Sequence, residues 1–335
     1  MGANLPTHVA NDNFFKTLDG AGLTRIHQGK VRDTYTMPGQ DDLLLLVATD
    51  RLSIFDFVLG GTVKDKGCVL TGLTVFWLTK VLKDMDNHLV AFGTEMKKYL
   101  PESLHSYTDL LKRGMVVKKL DMMPVECVVR GYLTGSGWGA YKRSGEVCGH
   151  SLATDLHDGS KLPEAIFTPT TKAEVGHDEH ISFQSVREDF GMWQEELTLK
   201  VYNMIADYSA SKGIILADTK FEFGRGGILG DEVATPDSSR FWDKDEWEKA
   251  VKEQKSPSGY DKQPVREWGK TVETPFEIQG IHKLDTENKD HLNFVHNLPI
   301  PEEILSETTS RYRRIFELLT GENLDTFQKD TFGVE

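Results

Sequence analysis

Hydrophobic and polar positions change period several times along this chain. Leu43 to Ala48 is an unbroken apolar run entered from Pro38-Gly39-Gln40-Asp41. A short continuous run after a turn signal predicts a buried strand. Gly29 to Tyr35 precedes it and is expected to form the antiparallel partner strand. Leu73, Phe76, Trp77 and Leu78 fall at near-helical spacing, which predicts an amphipathic helix. Met115-Val116-Val117 and Val125 to Val129 are two further strand-like runs. Lys118 to Pro124 between them is expected to turn the chain back on itself.

The second half reads in longer elements. Trp193 to Lys212 carries Leu197, Val201, Met204, Ile205 and Tyr208 on one helical face, and Gly213 stands where a helix-ending glycine belongs. Ile214 to Val233 reads as strand, tight turn and strand. A last helix is predicted from Pro301, as its first residue, to Gly321, with Ile304, Leu305, Tyr312, Ile315, Phe316 and Leu319 as its apolar stripe. Gln279 to Phe294 is mostly polar and reads as a loop-rich insertion. Strands cluster instead of alternating with helices, so the expected class is α+β.

Composition narrows the function. With 335 residues, 39% of them hydrophobic, the chain can bury a core without disulfide or metal staples. A net charge of −13 argues against nucleic acid, whose backbone needs clustered Lys and Arg. Small phosphorylated substrates need only a few local cations. Three cysteines, Cys68, Cys127 and Cys148, are too sparse for a disulfide framework and fit a reducing compartment. No apolar run approaches a bilayer span, and the polar N-terminus lacks a signal-peptide pattern. A cytoplasmic protein without membrane partners is expected.

The segment with the most chemistry is Ala217 to Glu232. Gly226-Gly227 suits a two-residue hairpin loop. In that register Glu222 lies directly opposite Asp231, and two facing carboxylates repel unless a cation such as Mg²⁺ sits between them. Asp218, Lys220 and Glu222 share one strand face. A solvated hairpin face offers a plainer account, which flanking Phe221, Phe223 and Ile214-Ile215-Leu216 weaken. Arg130 to Gly139 runs from a strand into a glycine-rich turn with Arg130 and Ser136, a pattern able to cradle an anion or simply to turn the chain. Asp237-Ser238-Ser239-Arg240 suits a phosphorylated ligand, or a turn cap. Lys30 and Arg32 alternate along the expected strand. Cys127, Cys148 and His150 lack ordinary zinc-finger spacing.

Taken together these segments resemble the phosphoribosylaminoimidazole-succinocarboxamide synthase (SAICAR synthetase) family. The matching pieces are Gly29 to Asp33, Thr49 to Asp56, Lys66-Gly67, Glu126 to Trp138, Phe167 to Ala173, Ala217 to Gly224, Gly230 to Trp242 and Asp261-Lys262-Gln263. They fall in family order from about residue 25 to 270. The resemblance implies an N-terminal antiparallel β-rich subdomain (1–114), a larger α+β subdomain with C-terminal helices (115–335), and an ATP cleft between them. It implies ligation of L-aspartate to the carboxylate of carboxyaminoimidazole ribonucleotide (CAIR) through an acyl phosphate, with ATP as co-substrate and Mg²⁺, in purine synthesis.

By the same resemblance Lys30, Arg32, Glu126 and Glu222 would serve ATP, and Glu222 and Asp231 would hold Mg²⁺. Arg130, Ser136 and Arg240 would bind the ribonucleotide phosphate. Lys220 and Asp218 would flank the transferring phosphoryl group, and Asp237 would meet the aminoimidazole. Lys172 and Asp50 are further substrate candidates. The loop Ala173 to Ser182 and the insertion near Gln279 match a longer, fungal-like form, monomeric or a small homo-oligomer. A phosphotransferase with another acceptor, and a silent nucleotide-binding scaffold, are the competing readings.

Overall fold

The computed structural model describes residues 14–172 and 179–335. The described residues pack as two compact units, one of residues 14–75, 89–119 and 262–335, the other drawn from residues 76–88 and 120–261. The linear division at residue 114 is a different partition, because C-terminal helices pack with residues 51–62 of the N-terminal region.

In the first unit the strands are β1 (Thr24–Gln28), β2 (Arg32–Thr36), β3 (Leu43–Ala48), β4 (Arg51–Ile54), β5 (Phe57–Thr62), β6 (Leu89–Phe92) and β7 (Gly114–Lys118). One antiparallel sheet runs β1-β2-β3-β7-β6, and β4-β5 is a separate hairpin. The apolar run Leu43 to Ala48 is β3, flanked on both sides by partners, which is why it tolerates no polar alternation. The strand expected over Gly29 to Tyr35 begins only at Arg32. Gly29 N–H donates to Arg32 O at 2.8 Å, closing a tight turn that carries Lys30 and joins β1 to β2. Lys30 therefore lies in a hairpin turn, not on a strand face beside Arg32.

The polar stretch after Gln279 is no bare loop. It holds the helix Lys289–Asn297, whose N-cap Asn288 side chain accepts from Asp290 and His291. Ile281 and Val295 are buried with Leu52, Ile54, Phe57 and Leu59 of the β4–β5 hairpin. Apolar residues one or two turns apart sufficed for burial where a contiguous stripe was lacking. The predicted last helix spans Glu302–Thr320, with Gly321 left-handed at its end; Pro301 is its N-cap, so the helix begins one residue later than expected.

The second unit contains β8 (Val125–Leu133), β9 (Glu146–Val147), β10 (His150–Ser151), β11 (Ser160–Phe167), β12 (Thr170–Thr171), β13 (Ile214–Gly224), β14 (Ile228–Gly230) and β15 (Ser239–Asp243). Its main sheet runs β11-β8-β13-β14, with β12 on β8 and β15 on β13. The strands β7 and β8 do not pair with each other. Residues 118–124 carry the chain from one unit to the other instead of closing a hairpin. The helix Trp193–Ser211 packs on β13 and β8, where Tyr202 Oη donates to Leu216 O at 2.7 Å. All ladders in both units are antiparallel, so the α+β expectation holds. No described helix is long and apolar enough to cross a membrane.

Arg51 on β4 ties the first unit together. Its guanidinium pairs with fully buried Asp33 on β2 and donates to Gly29 O at 2.9 Å and Lys30 O at 3.3 Å. Removing one member of a buried pair strands the other charge. Arg51→Met should destabilise the protein by about 3–5 kcal/mol, read as a lowered urea midpoint. A midpoint shifted no more than that of an exposed substitution would show that the pair is dispensable.

Candidate active site

The strand β13 carries the site. Asp218, Lys220 and Glu222 alternate along one face, as the period of a strand requires. Asp218 is the register partner of Arg130 on β8 and also of Arg240 on β15. Three charges thus lie abreast on three neighbouring strands. Asp218 Oδ2 accepts from Nη1 of Arg130 and from Nη1 of Arg240, each at 2.6 Å. Arg130 is 3% exposed, and its remaining bonds go to Thr168 Oγ1 at 3.0 Å, Thr134 O at 3.3 Å and Ser136 Oγ at 2.9 Å. Burial pushes the Arg130 pKa down while Asp218 opposes that shift. For Arg240 the Asp218 carboxylate pushes it up.

Arg240 is 27% exposed and lies against the first turn of the helix Gly135–Ser144. A Cβ on Gly135 would come within 2.4 Å of Arg240 Nη2, and Gly135 has a φ of 57°. No side chain caps this helix start. A helix N-terminus and a guanidinium both attract anions and repel each other, so their juxtaposition favours an anion between them. Ser136 is exposed on the same turn, and His180 Nε2 lies 3.3 Å from its Oγ. Burial, with Arg130 and Arg143, lowers the His180 pKa.

Further along β13, Lys220 pairs with Glu126 of β8, and its Nζ lies 3.6 Å from Glu222. Lys172 pairs with Glu222, and Thr170 Oγ1 donates to Glu126 at 3.1 Å. Burial alone would lower the Lys220 pKa. Glu126 and Glu222, with Asp231, outweigh it and hold the ammonium above its ordinary value.

The hairpin register differs from the expected one. Glu222 pairs with Gly230, Phe223 with Leu229 and Gly224 with Ile228. Residues 225–227 form a three-residue loop in which Gly226 and Gly227 have φ of 83° and 80°. One extra loop residue moves Asp231 off the position facing Glu222, to a bend just past β14 with a φ of 53°. Asp231 still contributes to the field at Lys220. The return to β15 is also bent at Ala234 (φ 43°), whose carbonyl accepts from Trp77 Nε1 at 3.0 Å. Asp237 follows, its N–H donating to Thr235 Oγ1 at 3.2 Å, while Lys220 N–H donates to Ser238 O at 3.2 Å. An open cavity of about 580 Å³ at the hairpin tip is lined by Asp84, Trp193, Glu196, Gly226 and Gly227 among others, and by none of the charged residues of the β13 face.

In the first unit, half-exposed Lys30 pairs with Asp56, and Arg32 begins β2. Asp50 is buried and already engaged. It accepts from Gly67 N–H at 2.8 Å and pairs with Arg113 at 3.0 Å. Thr134 and His180 carried no signal of their own in the sequence, because one acts through its backbone carbonyl and the other arrives from a distant segment. Of the loop from Ala173 to Ser182, residues 173–178 lie outside the described residues.

Comparison with known proteins gives one answer. The SAICAR synthetase family model matches residues 25–280. The chain is 40% identical to phosphoribosylaminoimidazole-succinocarboxamide synthase of Desulfotalea psychrophila, over 91% of this chain and 98% of that protein. It is 42% identical to the protein of that name from Maridesulfovibrio salexigens, over 90% and 96%. Among solved structures, SAICAR synthase from Saccharomyces cerevisiae, complexed with SAICAR, aligns with a TM-score of 0.75 at 37% identity, over 91% of this chain and 97% of that one. The class is therefore that of ATP-dependent carbon–nitrogen ligases. The chain belongs to the SAICAR synthetase family. Its reaction is the ligation of L-aspartate to the carboxylate of CAIR at the expense of ATP, in purine biosynthesis.

Gly135→Ala should push the Arg240 guanidinium off the helix start and strain a left-handed residue. The expected result is a KM for the ribonucleotide raised by about ten-fold, roughly one hydrogen-bonded charge contact, with the KM for ATP unmoved. Equal effects on both would place Gly135 outside the anion site.

Proposed function

We propose that the two ends of the β13 face divide the work. At one end Arg240, Ser136 and the uncapped helix start hold the ribonucleotide phosphate, with Arg130 behind them. At the other Lys220, Glu126, Glu222 and Asp231 serve the phosphoryl donor. The observation that carries this reading is the order along one strand face: Asp218 holding Arg240 at a helix N-terminus, then Lys220, then Glu222. Asp237, between the two ends in the chain, is assigned to the aminoimidazole. Lys30 and Arg32 of the first unit are assigned to the ATP phosphates, and Lys172 to a substrate carboxylate.

A carboxylate is a poor acceptor for an amine at neutral pH. In the proposed route a CAIR carboxylate oxygen attacks the γ-phosphorus and ADP leaves. The aspartate amine then attacks the acyl carbon, phosphate leaves, and the amine gives up a proton. The first step is mostly positioning and neutralisation of charge. Lys220, kept as an ammonium by its carboxylate neighbours, supplies positive charge there.

Glu222 and Asp231 suit Mg²⁺ by chemistry. They offer hard carboxylate oxygens, and Glu222 already draws two cations, Lys172 and Lys220. Among the described residues no group of three or more His, Cys, Asp or Glu is gathered. A site of one or two carboxylates completed by phosphates and water is the usual Mg²⁺ arrangement. When bound, the ion would neutralise charge on the transferring phosphoryl group. The −13 net charge supports small-molecule partners over nucleic acid, and a cytoplasmic monomer or small homo-oligomer is our working assignment.

The test is ADP release with ATP, Mg²⁺ and CAIR, with and without L-aspartate, while the succinocarboxamide is followed by absorbance. Stoichiometric product requiring all three substrates supports the proposal. ADP release indifferent to aspartate would instead mean phosphoryl transfer to another acceptor. Glu222→Gln and Asp231→Asn should each lower kcat by about 10²–10³-fold with the melting temperature preserved. Wild-type turnover in both would sink the metal assignment.

A further inference from the structure

We infer that Asp218 is a positioning residue of the ribonucleotide site: it gathers Arg130 and Arg240 from two different strands and aims Arg240 at the uncapped start of the helix Gly135–Ser144. This rests on the phosphate reading above. Neighbouring strands are about 4.8 Å apart, so residues on the two strands flanking β13 start about 10 Å apart. No single phosphate reaches both guanidiniums from there unless they converge. Asp218 makes them converge, because Oδ2 accepts from both at 2.6 Å.

The two arginines are not equivalent. Arg130 is buried and spends four bonds inside the protein, so it serves mainly as an anchor for Asp218 and Ser136. The Arg240 guanidinium donates to Asp218 alone among the described residues, and is partly exposed. Its remaining N–H groups are available to an anion, and one carboxylate oxygen fixes their direction. Without that oxygen, repulsion from Arg130 and from the helix start would turn Arg240 toward solvent. Asp218 itself is 7% exposed, with Oδ2 occupied twice and Oδ1 buried without a hydrogen-bond partner among the described residues, so the oxygen that holds the arginines is fully engaged by them.

The experiment combines steady-state kinetics with calorimetric binding of CAIR in the absence of ATP, for Asp218→Asn, Arg240→Gln and the double variant. Asp218→Asn should raise the KM and Kd for CAIR about 10- to 100-fold, the usual loss when an outer partner of a ligand-binding group is removed, while the KM for ATP stays put. The double variant should bind CAIR scarcely worse than Arg240→Gln alone, because residues acting as a unit are not additive. A fall in kcat at unchanged CAIR affinity, or fully additive losses, would overturn the proposal. If Asp218→Asn fails to fold, Asp218→Glu keeps the charge and displaces the carboxylate by one methylene. Weakened CAIR binding by that folded variant supports the positioning role, and unchanged binding rejects it. Failure of the wild type to bind CAIR would remove the phosphate reading and this role together, whereas tight wild-type binding with indifferent variants would remove this role alone.

Discussion

Two guanidiniums converging on a single carboxylate oxygen, with a helix start pressed against one of them, is the arrangement on which the rest of the second unit depends. The sheet makes it available. Antiparallel pairing of β8, β13 and β15 sets Arg130, Asp218 and Arg240 at one level. The close approach of Gly135 then adds backbone N–H groups to the same surface. Such a concentration of positive charge is costly in isolation, and the shared Asp218 compensates only part of it. In the proposed site an anionic ligand would offset the remainder.

The same strand does a second job because its side chains alternate. Two residues beyond Asp218 stands Lys220, and two beyond that stands Glu222. The cation-rich end and the carboxylate-rich end are therefore separated by a fixed rise along one rigid element. Rigidity matters where the chemistry is positioning, since a shift of about 1 Å can cost a hundred-fold in rate. Helix Trp193–Ser211 supports β13 and β8 from the packed side, and bends at Asp231 and Ala234 return the chain so that Asp237 and Arg240 reach this neighbourhood.

Much of the local structure was legible because it rests on short-range rules. The unbroken run at β3, the stripe of helix Glu302–Thr320 and the glycines at 213, 321, 226 and 227 each name their own conformation. The structure departs from the sequence pattern where the outcome depends on a count or on a distant partner. One additional loop residue at Arg225 moved Asp231 out of register with Glu222. Gly29 drew its neighbours into a turn instead of a strand. A polar insertion proved to be a capped helix because the β4–β5 hairpin offered its few apolar residues a surface to bury.

Sequence by itself determined the family, the α+β class, and the identity of the charged residues on β13. Period-two alternation and ordered motifs are local properties, and they survive without knowledge of neighbours. Tertiary structure alone decided which charges meet. Asp218 was assigned by motif to the phosphoryl end, yet its register partners are two arginines from strands 88 and 22 residues away along the chain. Asp50, a substrate candidate by motif, is buried against Gly67 and Arg113, partners that its own segment does not reveal. Strand order, register and burial fix such partnerships, and none of them is encoded in the spacing of the residues concerned.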